Sequence, residues 1–141
     1  VKEVVELLKS RLDHKHIQLS LDFADNLPAV RASRRHLEHI IVNLVTNAAE
    51  AVIQGKGIII ISTEYCPDVN RLRLSVQDNG PGMTPELLRQ AQEPFFSTKP
   101  GGTGLGLPLC RALAWQINAL FQIDSAPGNG VKVTLQLEVE T

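Results

Sequence analysis

Cysteine and net charge are both scarce in this chain. It has two cysteines, Cys66 and Cys110, which lie far apart and form no Cys-x-x-Cys pair. Their spacing indicates neither a disulfide framework nor a zinc site, and it fits a reduced, cytoplasmic setting. The formal net charge is -1 at pH 7. Electrostatics therefore favour neither nucleic acid nor an anionic membrane surface as a partner.

Long apolar runs are absent as well. The longest aliphatic run, residues 58–61, is far shorter than the roughly 20 residues of a membrane-spanning helix. The N-terminus lacks the apolar core of a signal peptide. We expect no direct membrane contact by this domain, and the sequence leaves open whether a longer parent protein is anchored in a membrane. With 141 residues and no repeat or low-complexity tract, residues 1–141 are expected to form a single domain.

Glycine, by contrast, is concentrated in residues 101–107, which read Gly-Gly-Thr-Gly-Leu-Gly-Leu. So many glycines do not suit a helix or strand interior, but they allow backbone amides to approach a ligand closely. Apolar residues follow Pro108 at helical spacing, so a helix is predicted to begin where the glycines end. A glycine-rich loop that leads into a helix N-terminus favours a phosphate ligand. The alternative is a flexible surface loop with a helix cap.

Hydrophobic periodicity predicts a two-layer α/β sandwich, with a mixed, mostly antiparallel sheet and three main helices on one face. The predicted elements, in order, are a helix ending near His14, a strand at 17–23, a helix from the Ser33 cap to Val52, strands at 58–64 and 71–77, a short helix after Thr84, a helix from about Leu105, and strands at 121–125 and 131–139.

Two asparagines interrupt the apolar pattern of the second predicted helix. Asn43 and Asn47 are four residues apart and share one face with His39 and Glu50. Asparagine is a poor helix former, so two in mid-helix call for a reason. Amide oxygens can ligate a hard cation such as Mg²⁺ that is shared with substrate phosphates. The alternative is a solvated helix face.

An aspartate continues the inward-facing row of the strand at 71–77. Leu72, Leu74 and Val76 share one face, and Asp78 follows in the same parity, directly before Asn-Gly-Pro-Gly. A buried carboxylate needs a donor, and the amino group of adenine would supply one. The alternative is ordinary Asp-Asn-Gly turn chemistry.

Residues 93–99, Glu-Pro-Phe-Phe-Ser-Thr-Lys, show no periodicity and end in a lysine that could pair with phosphate. Read differently, the two phenylalanines fix a loop to the core and Lys99 is solvated.

In this order, the four segments resemble the ATP-binding catalytic domain of sensor histidine kinases, in the superfamily that includes gyrase, the ATP-dependent heat-shock chaperone and the mismatch-repair ATPase. Residues 43–48 resemble the N box, 78–82 the first glycine box, 93–99 the F box and 102–107 the second glycine box. The resemblance covers essentially the whole chain. The sequence of the F box is most similar to that of the nitrogen-regulator type of sensor kinase.

The resemblance implies an α/β sandwich with ATP held between the N-box helix and a short, mobile lid at about residues 92–104. It implies that Asn47 ligates Mg²⁺, that Asn43 assists near the phosphates, and that Lys99 reaches the γ-phosphate, which makes these three the catalytic residues. Asp78 would accept a hydrogen bond from adenine. The implied nucleotide-binding residues are Asn43, Asn47, Asp78, Gly80, Gly82, Phe95, Thr98, Lys99, Gly102, Thr103, Gly104, Leu105, Gly106 and Leu107.

Departures from the family pattern narrow the predicted reaction. The hydrolases of the superfamily carry a glutamate four residues before the Mg²⁺ asparagine, where this chain has Asn43. Without that base, γ-phosphoryl transfer to a docked side chain is favoured over hydrolysis. None of the four histidines is followed by an acidic residue, so no phosphoacceptor box is present. The predicted acceptor is a histidine on a separate dimerisation domain absent from this chain, with a response regulator downstream.

A third departure lies at residues 128–133, where many relatives carry Gly-x-Gly-Thr-x-Phe and this chain has Val131 in place of the threonine. Val131 offers no hydroxyl near the base, and we expect at most weaker nucleotide binding. Two alternatives stay open: an anti-sigma-factor type serine kinase, and a nucleotide-binding regulatory module without catalysis.

Overall fold

The computed structural model describes residues 2–52, 55–93 and 106–140 and forms four helices and five strands there. The elements are α1 (Lys2–His14), β1 (Gln18–Phe23), α2 (Arg34–Ala51), β2 (Ile58–Cys66), β3 (Arg71–Asp78), α3 (Pro85–Ala91), α4 (Gly106–Gln116), β4 (Leu120–Ser125) and β5 (Val131–Glu138). Their order is the one that the hydrophobic pattern predicts, and the bounds of the strands differ by one or two residues.

The five strands form one sheet in the order β1-β2-β3-β5-β4. β1 pairs with β2 in parallel because α2 lies between them in the chain, and the other three pairings are antiparallel. The last strand, β5, lies inside the sheet between β3 and β4. The predicted mixed, mostly antiparallel sheet is confirmed.

The core lies between one face of this sheet and helices α1, α2 and α4. Alternate residues of the central strands are buried there, including Ile59, Ile61 and Leu135. The helices meet them with apolar stripes such as Ile40 and Val45 of α2. Each such side chain contributes about 1.5–3 kcal/mol through its burial. The predicted placement of the main helices on one face is confirmed.

Helices α2 and α3 begin at the predicted caps. The Ser33 hydroxyl accepts a hydrogen bond from His36 N at 3.5 Å, and the Thr84 hydroxyl accepts one from Leu87 N at 3.1 Å. Pro85 occupies the first position of α3, where its missing N–H costs nothing. No residue of α3 is buried, so its cap and its connections hold this short helix.

Candidate functional site

The Asp78 carboxylate lies at the end of β3 and faces the helices. Asp78 continues the buried row of Leu72, Leu74 and Val76, as the alternation predicts, and the residue is only 6% exposed. Its Oδ1 atom accepts hydrogen bonds from the backbone amides of Gly80 at 2.8 Å and Val131 at 3.2 Å. These two amides fix the orientation of the carboxylate.

Two loops meet around this carboxylate: residues 79–84, which follow β3, and residues 126–130, which connect β4 to β5. Gly128 N donates to Pro81 O at 2.6 Å. Met83 N donates to the Ser125 hydroxyl at 2.9 Å, and that hydroxyl donates to Gly130 O at 2.7 Å. The two loops therefore form one hydrogen-bonded unit.

Glycines permit this close approach. Gly82 and Gly130 have φ angles of +73° and +70°. A Cβ at Gly82 would overlap the carbonyl oxygen of Ala126, and one at Gly130 would overlap that of Asp78. Only glycine combines these φ values with this backbone contact. Gly82 of the first glycine box and Gly130 of the β4–β5 turn thus allow the two loops to pack closely, and the nucleotide-binding role predicted for Gly82 stays a prediction.

Gly80 brings the first loop against the end of α2. A Cβ at this position would lie 2.9 Å from the carbonyl oxygen of Ala51, the last residue of α2. Asn47 lies one helical turn before Ala51, on the same side of the helix. The predicted metal ligand and the predicted adenine ligand are therefore brought to the same end of the sheet.

Both asparagines of α2 are half-buried. Asn43 Nδ2 donates to the carbonyl oxygen of His39 at 2.8 Å, within the helix. His39 and Glu50, which share their stripe, are exposed. The asparagines thus lie at the border between core and solvent, where an amide oxygen can meet a hydrated cation. In the described ranges, no three His, Cys, Asp or Glu side chains come together as a metal cluster.

The end of the second glycine box is the start of α4. Gly106 is the first residue of that helix, and Leu107 is buried against the core with 7% exposure. Because α4 packs against α2, the end of this box lies beside the asparagine helix. The other predicted site residues lie outside the described residues: Phe95, Thr98, Lys99, Gly102, Thr103, Gly104 and Leu105, together with residues 94–104 of the predicted lid.

The buried thiol of Cys110 lies in α4, shortly after the second glycine box in sequence. Burial raises the pKa of Cys110 to about 12. The thiol therefore stays protonated near neutral pH and supplies no nucleophile.

Three residues of this region were not predicted as site residues. Asn79 joins the first loop to the start of β2 and to the connection before it: its Oδ1 accepts from Ile58 N at 2.8 Å and its Nδ2 donates to Lys56 O at 3.0 Å. Val131 contributes its backbone amide to Asp78, and Ser125 joins the two loops. Asn79 is part of an Asp-Asn-Gly sequence, which is typical of turns, whereas no local sequence pattern indicates a role for Ser125 or for the Val131 amide.

Within the part of the chain that the structure describes, no helix is both long and apolar enough to cross a membrane.

Residues 32–141 match the sequence profile of the family described as histidine kinase-, DNA gyrase B-, and HSP90-like ATPase. The sensor histidine kinase ZraS of Klebsiella oxytoca is 34% identical over 135 residues, which cover 96% of this chain and 29% of that protein. The chain spans less than a third of the length of curated relatives such as this one.

Two solved structures share the fold. The nucleotide-free catalytic domain of the histidine kinase ThkA has a TM-score of 0.83 at 29% identity, with 98% of this chain and 89% of that chain covered. Full-length ShkA in complex with AMPPNP has a TM-score of 0.83 at 26% identity, with 99% of this chain and 30% of that chain covered.

Proposed function

Because this chain belongs to the histidine kinase-, DNA gyrase B-, and HSP90-like ATPase family, we propose that it binds ATP with Mg²⁺ and transfers the γ-phosphoryl group to a histidine. That histidine would lie on a dimerisation domain of the same protein, and the phosphoryl group would pass on to a response regulator. The observation that carries this proposal is the Asp78 carboxylate, buried at the end of β3 and fixed by the amides of Gly80 and Val131.

Asp78 is suited to adenine because its oxygens are hydrogen-bond acceptors and its orientation is fixed. The 6-amino group of adenine is a donor, whereas guanine carries a carbonyl oxygen at the equivalent position. A carboxylate oxygen can accept a hydrogen bond from the amino group, whereas it has no donor to offer to the carbonyl oxygen of guanine. Asp78 would thus select ATP over GTP.

Asn47 and Asn43 fit a Mg²⁺ ion by their donor chemistry, because amide oxygens are hard ligands and Mg²⁺ keeps waters and substrate phosphates as its other ligands. Mg²⁺, when bound, would neutralise the charge that develops on the phosphates. The backbone amides of residues 102–107 and the Lys99 ammonium would hold the same phosphates. Phe95 and Thr98 would complete the closed lid.

Transfer to a side chain is better supported than hydrolysis. The Asn43 amide cannot take a proton from water, and its Nδ2 atom is engaged with His39 O at 2.8 Å. Glu50 is exposed and lies three residues after Asn47, whereas the glutamate of the hydrolases lies four residues before the Mg²⁺ asparagine. Catalysis would then rest on positioning and on charge neutralisation at the phosphates.

The comparisons support this reading through the names of the relatives, which are sensor kinases, and through the AMPPNP complex of ShkA. We further propose a cytoplasmic location for the domain, in keeping with the free thiols of Cys66 and Cys110. That the chain belongs to the nitrogen-regulator type of sensor kinase, which the sequence of residues 93–99 supports, also stays a proposal.

The test is calorimetry with non-hydrolysable analogues of ATP and of GTP, with and without Mg²⁺, on the parent chain and on Asp78→Asn. Asparagine keeps an oxygen for the two backbone amides but replaces the other acceptor with a donor. We expect at least tenfold weaker binding of the ATP analogue, which is the effect of about 1.4 kcal/mol, and a smaller loss for the GTP analogue. Asp22→Asn, at an exposed position of β1, is the matched control.

Phosphotransfer is then tested with γ-labelled ATP and a histidine-containing dimerisation domain. Label on that histidine supports the kinase, and its loss in Asn47→Ala supports the metal role. If the parent chain binds no nucleotide under any of these conditions, the proposal is wrong. Binding without transfer to histidine would instead favour a serine kinase or a binding module.

A further inference from the structure

Ser125 lies at the end of β4 and has one hydroxyl that serves both loops of the site. The hydroxyl accepts from Met83 N at 2.9 Å and donates to Gly130 O at 2.7 Å. Met83 belongs to the loop after β3, and Gly130 belongs to the β4–β5 turn. The side chain is half-buried, so water competes only partly for these bonds.

Asp78 also joins the same two loops. Its Oδ1 accepts from Gly80 N in the loop after β3 and from Val131 N, directly after the turn. Ser125 and Asp78 thus close a ring of hydrogen bonds that contains both loops. The orientation of the carboxylate depends on the positions of Gly80 and Val131, and Ser125 fixes the segments that carry these two amides.

We propose that Ser125 is a positioning residue for base recognition: it holds the loop after β3 to the β4–β5 turn and so orients Asp78 toward adenine. This inference rests on the proposed nucleotide function. It also accounts for Val131, because this position would act through its backbone amide, which any residue except proline supplies.

Three variants test the role of the hydroxyl. Ser125→Ala removes both hydrogen bonds, and Ser125→Thr keeps a hydroxyl on the same carbon. Ser75→Ala is the matched control, because the buried Ser75 hydroxyl lies 3.4 Å from that of Thr134 on β5, a hydroxyl contact outside the two loops. Its loss should lower stability to a similar extent without loosening the loops.

The first measurement is amide hydrogen exchange of Gly80 and Val131 in the nucleotide-free chain. We expect exchange of both amides to rise by roughly tenfold in Ser125→Ala, relative to amides of β3 in the same protein. Ser75→Ala and Ser125→Thr should leave this ratio near that of the parent. Unchanged exchange of both amides in Ser125→Ala would overturn the proposal.

The second measurement is the ratio of affinities for non-hydrolysable ATP and GTP analogues. Ser125→Ala should weaken ATP binding by about fivefold and GTP binding less, which lowers the ratio, and Ser125→Thr should restore it. An equal loss for both nucleotides, or an equal effect of Ser75→Ala, would show a merely structural role. If the parent chain binds neither nucleotide, the proposed function fails, while hydrogen exchange still decides the role of Ser125 in orienting Asp78.

Discussion

Gly130 and Gly128 offer a matched pair of substitutions that isolates one close contact of the site. Both glycines lie in the β4–β5 turn and have positive φ angles, +70° and +82°. A Cβ at Gly128 would meet nothing within 4 Å. A Cβ at Gly130 would overlap the carbonyl oxygen of Asp78 and lie 2.9 Å from its carbonyl carbon. Alanine at the two positions therefore shares the backbone strain and differs in the steric overlap.

The magnitudes follow from these two contributions. A positive φ costs an alanine roughly 1–2 kcal/mol, and the reduced entropy of the unfolded chain returns about 0.4–1 kcal/mol of this. Gly128→Ala should thus lower the free energy of unfolding by about 1 kcal/mol. Gly130→Ala should lose a further ~1–3 kcal/mol, because the overlap is with backbone and one strand must shift.

Urea unfolding followed by far-UV circular dichroism measures both free energies, and calorimetry with the ATP analogue measures the effect on binding. Gly130→Ala should weaken binding because the shift displaces Asp78 or the Val131 amide, whereas Gly128→Ala should leave affinity near that of the parent. Equal losses of stability in the two variants would refute the close contact between the turn and the end of β3.

Further predictions concern three other residues. Burial raises the pKa of the Cys110 thiol from 9.0 to about 12, so between these values the folded chain keeps a proton that the unfolded chain has released. The free energy of unfolding should then fall by ~1.4 kcal/mol per pH unit in this window, and Cys110→Ala should abolish this part of the slope measured by urea unfolding; an unchanged slope would contradict the burial argument. Asn79→Ala should lower the free energy of unfolding in urea by about 1–2 kcal/mol, because its side-chain hydrogen bonds to Lys56 and to Ile58, the first residue of β2, are lost; a loss below about 0.3 kcal/mol would show that solvent replaces them. Thr84→Ala should speed amide exchange in α3 by roughly fivefold through loss of its cap, with α2 unaffected; an equal rise in α2 would show that α3 does not open on its own.

Capping residues and strand alternation in the sequence predicted the structural features that depend on residues close together in the chain. The caps at Ser33 and Thr84 could be predicted because each cap hydrogen bond joins residues only three positions apart. Asp78 faces the core because strand alternation carries it there, four residues after the buried Leu74. These features follow from the geometry of one element, which a sequence displays directly.

The parts that escaped prediction depend on contacts between distant segments. The Val131 amide reaches Asp78 across 53 residues of sequence, and Ser125 reaches Met83 across 42. Every residue except proline has a backbone amide, so the residue type does not reveal its role, and a single serine at a strand end is common. The roles of Phe95, Thr98, Lys99 and residues 102–105 stay predictions, because these residues lie outside the part that the structure describes.

The position of β5 bears on when this site can form in the cell. β5 is the last strand in sequence, yet it is inserted between β3 and β4 and supplies the Val131 amide to Asp78. A ribosome that has synthesised the chain only through β4 would expose a nascent polypeptide in which one edge of β3 is unpaired and β4, whose pairing in the sheet is with β5, is unpaired along both edges. Such an intermediate has no complete sheet and no oriented Asp78. Nucleotide recognition would therefore begin only after residues 131–138 leave the exit tunnel.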